Sequence, residues 1–159
     1  RSFSHFFQIK AKNASEDNAN GNDSQPIITL TGVEKSTRGN ELQIRYSNGI
    51  NPATGQVEGV YLARTPWNLI TDEWVEVFVQ VTYAEQGAFK LTLTRLSDQA
   101  VILDINKTNI DMWRGNVQGD FARPKWGIYR SLKDPQSLRA EEEQVRFADF
   151  TIRKGTVTK

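Results

Sequence analysis

The chain predicts an all-β protein built as two packed antiparallel sheets, and three observations carry that prediction. Turn-forming clusters cut its 159 residues into short segments rich in Val, Ile, Phe, Tyr and Thr. One of these, Trp74-Val75-Glu76-Val77-Phe78-Val79-Gln80-Val81-Thr82, alternates strictly, four valines on one face and Glu76, Phe78 and Gln80 on the other. No segment carries the period of a long helix. The length suits a single β-sandwich domain over 1–159 with a sizeable core.

Taken in order, the expected strands are 3–11, 26–32, 41–47, 57–64, 74–83, 88–96, 100–105, 124–132 and 145–154. The opening strand follows directly on Arg1-Ser2 with no signal peptide before it. That leaves two readings, a leader already removed or a chain that starts partway through its domain as the C-terminal part of a longer precursor. Asn13 to Gln25, dense in Asn, Asp and Gly, reads as a mobile hairpin loop. The valines of 74–82 belong to the core, and Phe89-Lys90-Leu91-Thr92-Leu93-Thr94-Arg95 pairs back on them through the turn at Glu85-Gln86-Gly87. Lys133 to Glu143 is a solvated charge cluster, with Ser137 to Gln144 a loop or a short helix. Arg146-Phe147-Ala148-Asp149-Phe150-Thr151-Ile152 closes the chain as the last strand.

Composition excludes several classes of function. A net charge of +1 gives no global pull towards nucleic acid or a membrane, so recognition of an anion has to be local. No apolar run approaches the roughly 20 residues that cross a bilayer. The absence of cysteine removes disulfides, thiol catalysis and Cys-ligated zinc together. Three Asn-X-Ser/Thr sequons, at Asn13, Asn22 and Asn106, lean towards a secreted, extracellular protein. Asp17, Asn20, Asn22 and Asp23 offer oxygen atoms to a structural calcium, but their spacing is not that of an EF-hand loop and a flexible loop is the favoured reading; no other metal or cofactor is expected.

The run Arg123-Pro124-Lys125-Trp126-Gly127-Ile128-Tyr129-Arg130 is the chemically suggestive one. In an extended chain Lys125, Gly127, Tyr129 and Ser131 share one face, while Trp126, Ile128 and the stem of Arg130 share the other. Tyr129 is a proton donor or acceptor, Lys125 supports an anionic group, and Gly127 keeps the backbone open to a ligand. On the opening strand, strict alternation groups Gln8 and Lys10 with Ser4 and Phe6, and turns His5 away with Phe7 and Ile9. A bulge would bring His5, the lone imidazole and the natural general base near neutral pH, onto the face of Gln8. Gln43 and Arg45 share the polar face of Glu41 to Ser47. Trp67 and Trp113 read first as packing anchors and second as platforms that stack on sugar rings from loops.

The pairing of His5-Phe6-Phe7-Gln8-Ile9-Lys10 early with Lys125-Trp126-Gly127-Ile128-Tyr129-Arg130 late resembles the polysaccharide lyases of concanavalin-like jelly-roll fold, among them alginate, glucuronan and heparin lyases. The likeness is greatest to glucuronan-lyase-like fungal secreted proteins and runs from Phe3 to Phe150. It implies a jelly roll and β-elimination at a uronic acid, with an acidic polysaccharide as partner. By position it makes Tyr129, His5, Gln8 and Lys125 catalytic: Gln8 and Lys125 on the sugar carboxylate, Tyr129 the acid, Tyr129 or His5 the base. Lys10, Gln43, Arg45, Gln80 and Arg130 would then contact substrate.

Two departures stand out. The histidine of the alginate-lyase Gln-Ile-His pattern is Lys10 here, and the upstream Arg- and Glu-bearing strand of those lyases is not within this chain. An upstream fragment of the same precursor is thus a second expected partner. The rival reading is a non-catalytic carbohydrate-binding module on the same sandwich. A retaining hydrolase is disfavoured, because no strand bears alternating carboxylates.

Overall fold

The computed structural model describes residues 3–12, 25–35, 37–51, 53–115, 117–130, 141–142 and 144–155. Eight strands are formed: β1 (Phe3–Lys12), β2 (Pro26–Lys35), β3 (Gly39–Ile50), β4 (Val57–Pro66), β5 (Val75–Thr82), β6 (Gly87–Arg95), β7 (Val101–Ile110) and β8 (Phe121–Arg130). All the pairings are antiparallel, in a five-stranded sheet ordered β4-β3-β2-β1-β8 and a three-stranded sheet ordered β5-β6-β7. The all-β, two-sheet expectation holds.

The two sheets meet through their alternating apolar residues. Phe7, Ile9, Ile28, Leu30, Leu42, Ile44 and Tyr46 on the larger sheet join Phe89, Leu91, Leu93, Leu103, Ile105 and Met112 in one buried cluster. The 3₁₀ turn Trp67–Leu69 links the sheets, and Trp67 packs on Phe6 with ring centroids 5.6 Å apart. Both lie over Gly32, where a Cβ would come within 3.0 Å of either ring. Trp67 is therefore the packing anchor expected, and Trp113 is likewise part-buried, its ring against Gly115.

Three expectations are corrected. The segment 145–154 is not a strand: Asp149 adopts φ +57°, which breaks the extended run, and Phe150 turns onto Trp126 at 5.2 Å. The β5 valines do face inward, in register with Phe89, Leu91 and Leu93, but β5 is an edge strand and Val77 stays 36% exposed. The seventh strand runs on to Ile110, four residues past Asn106, which is exposed within it. The sequons at Asn13 and Asn22, the calcium donors Asp17 to Asp23, Ser131, and most of Lys133 to Glu143 lie outside the described residues. No helix among those described is long and apolar enough to cross a membrane.

Candidate functional site

One irregularity builds the site. From Phe3↔Val33 to His5↔Thr31, β1 and β2 run in simple register; the next pair is Phe7↔Leu30, so Phe6 is an extra residue in β1. Strict alternation had set Phe6 beside Gln8 and His5 beside Phe7. The bulge reverses this, sending Phe6 and Phe7 both towards the core and placing His5 on the outer face with Gln8. Gly32 makes it feasible by leaving room for the Phe6 ring.

Opposite the bulge, β8 carries Gly127 at φ +136°, a backbone conformation that a side chain would strain. A Cβ there would meet nothing within 4 Å among the described residues, which leave the surface beside it open. Tyr129 pairs with His5 and stacks on it, ring centroids 5.7 Å apart and planes at 6°, while remaining 59% exposed. Phe3 flanks the imidazole at 4.6 Å.

The His5 imidazole is held neutral. Thr31 Oγ1 donates to Thr29 Oγ1 at 2.7 Å and so accepts from His5 Nδ1 at 2.8 Å, leaving the lone pair on Nε2. Burial, with Arg45 as a second cause, lowers its pKa from 6.5 to about 4. Further along, Gln8 pairs with Lys125 and Lys10 with Arg123. No carboxylate pairs with these three cations among the described residues, and the buried Arg123 Nε has no acceptor there. Desolvation, then Arg123 and Lys10, push the Lys125 pKa down.

Towards β3 and β4, Arg45 lies 5.4 Å over the Tyr61 ring, and Gln43 pairs with Arg64. Gln43 Nε2 donates to Glu41 Oε2 at 2.9 Å, leaving its buried Oε1 without a donor among the described residues. Glu41 Oε1 accepts from Arg38 Nε at 2.7 Å; that bond first, and the Gln43 bond second, hold the carboxyl below its usual range.

The outer face of the five-stranded sheet therefore brings together Tyr129, His5, Gln8, Lys125, Lys10, Gln43 and Arg45. It does not bring in Gln80, which lies on the outer face of the other sheet, nor Arg130, which pairs with Ser4 on the side opposite Tyr129. Arg123, Arg64, Tyr61, Thr29 and Thr31 also belong to the face, beyond the residues to which the sequence motifs point. Arg123 was accessible by counting back two from Lys125, whereas Arg64 and Tyr61 needed the β3–β4 register. Among the described residues no group of three His, Asp or Glu could hold a metal ion. No protein-family model, curated protein or solved structure matches this chain.

Proposed function

We propose that this face binds an acidic polysaccharide and cleaves it by β-elimination. The observation that carries the reading is the juxtaposition of a neutral imidazole and an exposed phenol with cations that have no carboxylate partner among the described residues. Elimination needs such a set. Cations and amide donors stabilise the negative charge that develops when the proton beside a carboxylate is lost; one group takes that proton and another protonates the leaving oxygen. Lys125, Gln8 and Arg123 would hold the carboxylate, His5 Nε2 or Tyr129 would take the ring proton, and Tyr129 Oη would protonate the leaving glycosidic oxygen.

One observation favours binding without cleavage. A pKa of about 4 keeps His5 neutral near pH 7 but makes it a weak base. On that reading the same cations retain the glycan and the Tyr129 ring stacks on a sugar.

Incubation with glucuronan, alginate and heparin-type polymers, followed by the ultraviolet absorbance of an unsaturated uronate, decides between them. A rise that Tyr129→Phe abolishes is the expected outcome. Retention on the polymers with no rise for any of them would replace the lyase by the binding module.

A further inference from the structure

The four sheet edges are not equally guarded. β4 carries Glu58, Gly59, Arg64 and Pro66 and is twice out of register with β3. On β8 the guards are Arg123, Pro124, Lys125 and Gly127. β7 has Asp104 and Lys107, a left-handed Asn109 and two register shifts. Charges, prolines and bulges of this kind stop a strand from templating another. β5 has none of these apart from Glu76: its eight residues run in unbroken register with β6, and its outward backbone groups have no partner among the described residues.

β5 also reads almost the same in both directions about Phe78: Val75-Glu76-Val77-Phe78-Val79-Gln80-Val81. An antiparallel copy related by a two-fold axis through Phe78 would set Val75 against the partner's Val81, Glu76 against the partner's Gln80, Val77 against the partner's Val79, and Phe78 against the partner's Phe78. No like charges would be opposed, and each Glu–Gln pair can hydrogen-bond. Val77 and Phe78, at the centre, are 36% and 49% exposed in the single chain.

We propose that β5 is a self-association edge, and that two copies of this chain join through it into one continuous six-stranded sheet. The occupant is a second copy because the strand is complementary to itself. Glycan binding is not involved, since Gln80 and Phe78 lie on the other sheet from His5 and Tyr129.

Sedimentation equilibrium over a concentration series tests this. The wild-type chain should show a monomer–dimer equilibrium. Gln80→Glu, which opposes two pairs of glutamates, should weaken it about tenfold. The double variant Glu76→Gln/Gln80→Glu, with complementarity re-created in the opposite sense, should restore it. Phe78→Cys, the only cysteine in the chain, should form a disulfide-linked dimer on mild oxidation, since self-paired Cα atoms about 4.5–5.5 Å apart suit the bond. A monomer at every concentration, a dimer indifferent to Gln80→Glu, or a double variant as weak as the single one would overturn the proposal.

Discussion

The outer faces of the two sheets are made by the same alternation and behave differently. On the three-stranded sheet, Glu76, Phe78, Gln80 and Lys90 are all exposed. On the five-stranded sheet, Thr31 and Gln43 are 0% and 1% exposed although they point away from the core. Thr31 is bonded to His5 and Thr29, and Gln43 to Glu41, itself held by Arg38, in a polar layer of two bonded chains. Polar groups withdrawn from water need partners, so that layer is rigid and costly to disturb, whereas isolated exposed side chains change little when replaced.

The largest expected effect removes the support that both faces share. Phe89→Ala, at a fully buried position, should lower unfolding free energy by about 3–5 kcal/mol in denaturant titration. It should weaken polymer retention and β5 pairing together. A smaller substitution separates the faces. Thr31→Val strands His5 Nδ1 and Thr29, and should cost about 1–3 kcal/mol. Its counterpart on the other sheet, Thr92→Val, should stay within about 0.5 kcal/mol. Equal effects would erase the distinction.

Acid sharpens it further. Because folding lowers the His5 pKa, the unfolded chain takes up that proton first as pH falls. The contribution is fully present above pH 6.5 and is lost on the way down to about 4. Discounted for partial exposure, the loss is roughly 1–2 kcal/mol, and His5→Gln should remove it from a series of urea titrations against pH. Glu41 acts in a lower window: its depressed pKa stabilises the fold above the ordinary carboxylate range and ceases to as pH drops through the folded value.

The smallest expected change is in binding alone. Lys125→Ala should leave thermal stability within about 1 °C and should weaken retention on acidic polymers, with a shallower salt dependence. Lys90→Ala, an equal loss of charge on the other sheet, should leave stability, retention and its salt dependence all unchanged.

Much of this was legible from residue types. Lys125, Gly127 and Tyr129 share a face because β8 alternates through them, and Gln43 and Arg45 do so on β3. The position of His5 was legible only as a condition. Period-two counting puts it on the wrong side, and nothing local to Phe6 marks the extra residue, which is set by the space over Gly32, a residue of another strand. Gln80 failed as a site residue for a related reason: alternation says which face of its strand it occupies, but not which sheet the strand joins. The segment 145–154 has the apolar pattern of a strand yet pairs with none among the described residues, since a strand needs a neighbour's hydrogen bonds as well as a pattern.

Sequence alone determined the class of fold, most of its strands, the polar and apolar face of each, and the absence of thiol chemistry, all of which follow from side-chain type and a period of two along an extended backbone. Tertiary structure decided which strands stand side by side, where the alternation slips, and hence that His5 stacks on Tyr129 beside cations with no carboxylate partner among the described residues. Register between strands distant in the chain is a property of pairs, settled by how Phe6, Gly32 and Trp67 share one volume, and no single segment encodes it.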